Sequence, residues 1–316
     1  MRALRCRETG LALEDVALGA PGPSEVRVRV RASGICGSDL HAIEAPPLPH
    51  TLGHEVSGLL DDGTPVAVWP VTACGRCDRC GAREPQQCRG ALWNIYGYGR
   101  DGGMADAMVI ERASVVPLPP GLDVRDACLV EPLACSVHGA RRGGLAAGQR
   151  VAVIGGGTIG LTFCAVARAQ GCDVELEARH PHQQRAGEAL GARLGTRGEY
   201  DLVVDAAGTP AAIARALGLC RPGATLLLLA SYPDGLALPP HTFAMNEIAL
   251  IPAAAHGLGR EDRDVDEAAR LLARFPVIAS TLITHRFPLA DAAHAFRVAN
   301  DRRAGAIKVV LEPAAQ

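Results

Sequence analysis

The chain has 316 residues, of which 48% are hydrophobic, and its formal net charge is −2. This length and composition predict a globular protein with two modest domains, each burying its own core. No apolar run approaches the roughly 20 residues of a membrane span, and the basic residues are dispersed, so we expect neither a membrane protein nor a nucleic-acid-binding protein. The N-terminal residues contain no apolar signal core, which predicts a cytoplasmic protein whose eleven cysteines are reduced.

The first third of the chain has the pattern of a β-rich domain. Residues 25–32, EVRVRVRA, alternate valine with arginine, which is typical of a half-buried strand. Short β-like runs separated by glycine and proline continue to about Pro120. This part of the chain therefore predicts a compact β domain that carries loops.

Four cysteines lie close together in one of these loops. They are spaced as CxxCxxC with a fourth cysteine after a seven-residue gap, at Cys74, Cys77, Cys80 and Cys88. Four thiolates on such turns can surround one tetrahedral Zn²⁺ ion. The spacing predicts a structural zinc knuckle, and a disulfide pair is the alternative.

After Ala127 the pattern changes to alternating helix-like and strand-like segments. The strand-like segments include RVAVIG, DVELEA, DLVVDAAG and ATLLLLA, each followed or preceded by a helix-like stretch. This order predicts a doubly wound parallel sheet. The last segment, ITHRFPL to the C-terminus, has the pattern of a helix and a closing strand, and we expect it to return to the first domain.

A glycine-rich turn follows the first strand of this α/β region. Gly155, Gly157 and Gly160 fit GxGxxG between an apolar strand and an amphipathic helix, a context that predicts a nicotinamide dinucleotide on the helix N-terminus. We expect Ile159 to line the same site. A glycine-rich turn without a ligand is the alternative.

The residues after the second strand bear on which dinucleotide is bound. Eighteen residues past Gly160, where NAD enzymes usually have an acidic residue, the chain has Ala178 followed by Arg179. An arginine here can bind a 2′-phosphate, so Arg179 predicts NADP over NAD. The alternative is a shifted site, because Glu177 and Glu175 lie close by.

Several segments together resemble the zinc-dependent medium-chain dehydrogenase/reductase (alcohol dehydrogenase) family. They are GICGSDLH at 34–41, GHEVSG at 53–58, GGMADAMVI from 102, EPLACSVHGA from 131 and ITHRFPL from 283. The glutamate in EPLACSVHG is similar to the polyol and threonine dehydrogenase branch. The resemblance implies a GroES-like β-barrel catalytic domain and a Rossmann domain. We expect the first to span 1–138, the second 139–256, and the segment 257–316 to return to the catalytic domain.

The resemblance also implies a catalytic zinc in addition to the structural one. Its ligands would be Cys36 and His54, with Glu131 as the third ligand and Glu55 able to exchange with it. Such a donor set leaves a tetrahedral position for water or substrate. Cys135 is a possible substitute ligand, and it is also a small residue suited to packing.

By the same resemblance, the Ser38 hydroxyl takes the proton of an alcohol and His41 passes it to solvent. We therefore expect a dehydrogenase that acts on a secondary alcohol, a polyol or a ketone and that forms a homodimer or homotetramer. A cofactor-binding sensor or scaffold without catalysis is the alternative. Seven further histidines, His256 among them, lack ligand spacing, and most of them are predicted to be surface or satisfied core groups. His138 is expected either to line the cleft or to lie on an ordinary helix face. The single lysine, Lys308, argues against Schiff-base chemistry.

Overall fold

The computed structural model describes residues 1–90, 94–232, 235–236, 238, 240–259, 261–301 and 303–314. The chain divides into two compact units, one comprising Met1–Glu131 with His256–Gln316 and the other Pro132–Ala255. The first unit is therefore discontinuous in sequence, and the second is inserted into it. None of the helices in the described ranges is both long and apolar enough to cross a bilayer.

The first unit is built mainly of strands. Its strands are β1 (Arg2–Arg7), β2 (Gly10–Asp15), β3 (Glu25–Gly34), β4 (Glu55–Leu60), β5 (Pro65–Val68), β6 (Ala107–Glu111), β7 (Val115–Pro117), β14 (Ile283–Pro288) and β15 (Lys308–Glu312). Its helices are α1 (Gly37–Ala42), α2 (Asp78–Gly81), α8 (Asp264–Arg274), α9 (Val277–Leu282) and α10 (Ala292–Asn300), with 3₁₀ turns at Pro85–Gln87, Arg112–Ser114, Ala127–Leu129 and Leu289–Asp291.

One sheet of seven strands organises this unit. Its order is β14-β15-β3-β4-β5-β7, and β6 also pairs with β3. The alternation predicted for β3 is confirmed, because Val28 and Val30 are buried while the arginines between and after them are partly exposed. These valines pack in one core cluster with Val56, Met108 and Ile110. The C-terminal strand β15 pairs antiparallel with β3 and parallel with β14.

The second unit alternates strands and helices. Helix α3 (Val130–Arg142) begins at the end of the first unit and continues into the second. The remaining elements are β8 (Arg150–Ile154), α4 (Thr158–Ala169), β9 (Asp173–Glu177), α5 (Pro181–Ala189), β10 (Arg193–Leu194), β11 (Tyr200–Asp205), α6 (Pro210–Leu217), β12 (Cys220–Leu228), α7 (Pro240–Met245) and β13 (Ala249–Pro252).

The strands of the second unit form one parallel sheet of the order β10-β9-β8-β11-β12-β13. Numbered from β8 as the first strand, this order is 3-2-1-4-5-6, that of a dinucleotide-binding doubly wound sheet. The predicted fold class is thus confirmed. The strand order reverses beside β8, and ligands of such sheets bind at the carboxyl ends of the strands at this point.

The glycine-rich turn lies there, between β8 and α4. Gly155 has φ +113°, in the left-handed region that side chains disfavour. A Cβ atom on Gly160 would overlap the carbonyl oxygen of Gly155, so the first turn of α4 can approach the loop only because Gly160 has no side chain. Gly157 is the N-cap of α4, and a Cβ atom there would meet nothing within 4 Å.

We expect Gly160→Ala to lower the free energy of unfolding by about 1–3 kcal/mol, because the added methyl group meets a backbone oxygen that cannot move alone. Thermal and urea unfolding would measure the loss. Gly157→Ala is the matched control, since its φ of −77° and open surroundings accommodate a methyl group. Equal stabilities of the two variants would contradict the packing argument.

Candidate active site and metal centres

The pairing of β3 with β4 brings Cys36 and His54 together. In this antiparallel pair Gly34 lies opposite Glu55. Cys36 comes two residues after Gly34, and His54 comes one residue before Glu55. The candidate ligand atoms of Cys36, His54 and Glu55 all lie within 4.8 Å of one another. The two sequence segments that carry the predicted donors therefore converge at one end of the sheet.

Asp39 connects both donors. Its Oδ2 accepts a hydrogen bond from the backbone N–H of Cys36 (2.9 Å), which fixes the start of α1. Its Oδ1 lies 3.5 Å from Nδ1 of His54. Burial lowers the pKa of His54, but the charges of Asp39 and Cys36 outweigh this effect, so the pKa of the imidazole lies well above its usual value. Asp39 thus orients His54 with Nε2 on the far side of the ring.

Glu55 forms a buried ion pair with Lys308, the first residue of β15. Lys308 Nζ lies 2.6 Å from Glu55 Oε1 and donates a second hydrogen bond to the carbonyl of Ile35 (2.9 Å). The two side chains are 3% and 1% exposed. Burial lowers the pKa of Lys308, but Glu55 and Cys36 more than offset it, and the pKa is raised. The missing side chain of Gly34 leaves room for the Glu55 carboxylate, because a Cβ atom there would overlap Oε2.

Glu131 is buried beside His256. Glu131 Oε1 lies 3.1 Å from His256 Nε2, and Trp69 Nε1 donates a hydrogen bond to His256 Nδ1 (3.0 Å). Burial raises the pKa of Glu131, but the hydrogen bond to His256 and the charges of His54 and Lys308 give a net lowering of this pKa. Glu131 is therefore an ionised carboxylate within electrostatic reach of His54 and Glu55.

The two residues of the expected proton relay have different surroundings. Ser38 Oγ lies 3.5 Å from Nε2 of His54, and the Ser38 hydroxyl is hydrogen-bonded to Tyr98. The Tyr98 ring lies 5.5 Å from the His54 ring, and burial raises the pKa of its phenol. His41 is exposed, and its Nδ1 lies 3.8 Å from Glu44. Ser38 is thus at the donor cluster, whereas His41 faces solvent.

The donor cluster has the chemistry of a metal site. In the described part of the chain, Glu55 Oε2 is a buried atom of this cluster without a hydrogen-bond partner. Leaving buried polar atoms unsatisfied costs free energy, which a bound cation would recover. A thiolate, an imidazole and carboxylates are the ligands that Zn²⁺ takes in open sites. The residues therefore fit a zinc ion.

The four cysteines of the predicted knuckle converge in the same way. Their sulfur atoms lie within 4.8 Å of one another, with separations of 3.5 Å (Cys77–Cys80), 3.8 Å (Cys74–Cys80) and 3.9 Å (Cys77–Cys88). Four sulfurs at about 2.3 Å from one tetrahedral Zn²⁺ would be separated by about 3.8 Å. Backbone N–H groups of Arg89 and Cys80 lower the pKa of Cys77 to about 6, which favours the thiolate. This segment also fits a zinc ion.

The end of β9 separates Ala178 from the neighbouring acids. A Cβ atom built on Gly156, in the glycine-rich turn, would lie 2.6 Å from Cβ of Ala178, so residue 178 faces the turn. Glu177 instead forms an ion pair with Arg215 (2.6 Å) and accepts a hydrogen bond from Thr196. Arg179 is exposed. The residue beside the turn is therefore uncharged, and the nearest carboxylate is bound elsewhere.

Comparisons with known proteins agree with this arrangement. Residues 22–120 match the alcohol dehydrogenase GroES-like domain. L-galactonate-5-dehydrogenase of Escherichia coli (strain K12) is 28% identical in an alignment that is 335 positions long with its gaps and that covers 96% of each chain. Galactitol-1-phosphate dehydrogenase from Escherichia coli has a similar structure, with a TM-score of 0.89 at 27% identity over 99% of this chain and 100% of that one.

A further solved structure carries a cofactor. It is described as a zinc-binding dehydrogenase from Sinorhizobium meliloti 1021 bound to NADP, and it matches with a TM-score of 0.90 at 28% identity over 99% of both chains. Residues 22–120 thus belong to the alcohol dehydrogenase GroES-like domain family, and nearly the whole chain is similar to zinc-binding and polyol dehydrogenases. The predicted family is confirmed, and the names of the relatives support its polyol dehydrogenase branch. The protein is an oxidoreductase of this family.

Several residues at the site of this dehydrogenase were not found from its sequence. Asp39 stands inside the GSDLH segment, and its three-residue distance from Cys36 was a usable signal for a helix cap. Lys308 and His256 gave no such signal, because their partners, Glu55 and Glu131, are distant from them in sequence. His256 was expected to be a surface or satisfied core group. It is a satisfied core group, since it is fully buried and both of its ring nitrogens are hydrogen-bonded, but one of its partners is a candidate ligand.

We expect Lys308→Met to lower the free energy of unfolding of this dehydrogenase by about 3–5 kcal/mol, because it leaves the Glu55 carboxylate buried without its cation. Urea unfolding would measure the change. The double variant Lys308→Met/Glu55→Gln removes both charges and should lose less. Arg125→Met is the matched control, since its ion pair with Glu312 is exposed on the arginine side and should contribute at most about 1 kcal/mol. A single variant no less stable than the double one would contradict the expectation.

Proposed function

We propose that this dehydrogenase transfers a hydride between a secondary alcohol or polyol, or the corresponding ketone, and a nicotinamide cofactor, with a zinc ion at the reacting centre and NADP as the preferred cofactor. The observation that supports this proposal most is the convergence of Cys36, His54 and the buried Glu55 at one end of the β3–β4 pair. The names of the relatives, L-galactonate-5-dehydrogenase and galactitol-1-phosphate dehydrogenase, favour a polyol or a related sugar derivative as the substrate.

Cys36 and His54 would hold the catalytic zinc, with Glu131 as the third ligand and Glu55 able to exchange with it. When bound, the zinc supplies Lewis acidity, which lowers the pKa of an alcohol and makes its hydride easier to release. Asp39 fixes the ring of His54 through Nδ1 and leaves Nε2 for the metal. Lys308 holds one oxygen of Glu55 and so limits how far this carboxylate can move.

Ser38 is the residue that we propose takes up the proton of the alcohol. Its hydroxyl lies at the donor cluster, 3.5 Å from His54 Nε2, and it also has a hydrogen bond to Tyr98. A hydroxyl can accept one proton while it donates another, which a relay requires. His41 then passes the proton to solvent, a role that its exposure favours.

Gly155, Gly157, Ile159 and Gly160 would hold the cofactor, with its diphosphate on the N–H groups at the start of α4. The absence of a carboxylate beside the turn supports NADP, because an acid at residue 178 would repel a 2′-phosphate. Exposed Arg179 is the cation that we propose binds this phosphate. Cys74, Cys77, Cys80 and Cys88 would hold a second, structural zinc, which makes two zinc ions per chain.

We expect Cys36→Ser to abolish hydride transfer and to reduce the zinc content from two ions per chain to one, while cofactor binding persists. Polyol-dependent reduction of NADP⁺, metal analysis and cofactor titration would measure the three properties. Cys172→Ser is the matched control, because this thiol lies in the second unit and donates only to a backbone carbonyl, a bond that serine can replace. Cofactor binding without turnover by the unmodified protein on any polyol, sugar or ketone would favour a catalytically inactive sensor or scaffold instead.

We expect Arg179→Ala to weaken NADPH binding by about 10- to 100-fold, the value of a hydrogen-bonded ion pair with a phosphate, and to leave NADH binding nearly unchanged. Fluorescence titration of both cofactors would show the difference. Arg185→Ala, at another exposed arginine in the same region, is the control. Equal losses for both cofactors would contradict the assignment of Arg179.

A further inference from the structure

The hydrogen-bond chain Trp69–His256–Glu131 fixes the protonation of a buried histidine. An indole N–H can only donate, so the contact of 3.0 Å from Trp69 Nε1 requires that His256 Nδ1 carry no proton. The neutral ring then carries its proton on Nε2. This proton points at Glu131 Oε1, 3.1 Å away. His256 therefore donates a hydrogen bond from Nε2 to the Glu131 carboxylate.

The surroundings hold His256 rigidly in this position. Its side chain is fully buried. The next residue, Gly257, exchanges two hydrogen bonds with the buried Asp264, from its N–H to Oδ2 (2.7 Å) and from the Asp264 N–H to its carbonyl (3.0 Å). Trp69 is held in turn by its backbone bond to Ser114 (2.8 Å). His256 and Trp69 are thus both held by contacts within the first unit.

The imidazole of His256 has two roles to choose between: it can bind a metal itself, or it can position another residue that binds the metal. Imidazole ligates a metal through a nitrogen without a proton. In His256 the nitrogen without a proton is already bound by Trp69, and the other one donates to Glu131. The contacts therefore favour positioning over direct ligation.

We propose that His256, with its tautomer set by Trp69, is a positioning residue that holds Glu131 for metal binding. This inference rests on the proposed function, in which Glu131 is a zinc ligand. A hydrogen bond to one carboxylate oxygen restricts rotation of the group, so the metal meets a preoriented ligand. Removal of such an outer partner typically weakens metal binding 10- to 100-fold.

The test compares zinc retention by the full-length protein and four variants. Each is equilibrated with Zn²⁺ against increasing concentrations of a chelator, and the zinc left per chain is measured by atomic emission. Glu131→Gln identifies the step in the curve that belongs to the Glu131 site. His256→Leu should shift this step by about 10- to 100-fold, and Trp69→Phe should shift it in the same direction. His256→Gln keeps an N–H donor near Nε2 and should restore most of the affinity.

His294→Leu is the matched control, since this histidine is exposed. It should leave the curve unchanged. Circular dichroism and thermal unfolding show whether each variant is folded. If His256→Leu does not fold, the zinc retention of Trp69→Phe and His256→Gln tests the role of His256 instead. A shift for Glu131→Gln with none for His256→Leu or Trp69→Phe overturns the role of His256. An unshifted Glu131→Gln overturns instead the assignment of Glu131 as a ligand.

Discussion

The register of the β3–β4 pair is the constraint on which the candidate active site depends. Because Gly34 lies opposite Glu55, the chain leaves one strand at Cys36 and enters the next at His54, at the same end of the sheet. A slip of one residue would turn every side chain of a strand to the other face. The valines of β3 prevent such a slip, because their face belongs to a core cluster. Hydrophobic patterning thus determines where the polar site forms.

Burial of charge is the second constraint. Asp39, Glu55 and Glu131 are buried, whereas Lys308 is the only buried lysine or arginine among the described residues. Several kcal/mol are needed to bury an uncompensated ion, so this excess of carboxylates favours binding of a cation. The knuckle borders this region, since Gln86, which lies between Cys80 and Cys88, packs against Gly257 next to His256. A metal bound by the knuckle would stabilise the segment that contains Gln86, and this segment packs beside His256.

Local patterns predicted much of this protein from its sequence. The spacing of the four cysteines, the alternation of β3 and the glycines before α4 are features of short segments, and each was found without knowledge of the fold. The family resemblance added Cys36, His54 and Glu131. His256 and Lys308 could not be found in this way, because no periodicity links them to Glu131 and Glu55. Sheet pairing and the return of the chain at residue 256 bring them together. The orientation of Ala178 likewise became known only from the close approach of Gly156.

The discontinuity of the first unit has a consequence for the order of folding during synthesis. The second unit is a continuous segment, so all of its strands are available once Ala255 has left the ribosome. The first unit must wait for β15, whose Val310 pairs with Gly34 across most of the chain. Contacts so distant in sequence form late, because a long loop must close first. The carboxylate of Glu55 gains its lysine only in this last step. The nascent chain therefore carries an incomplete first unit until β15 has been made.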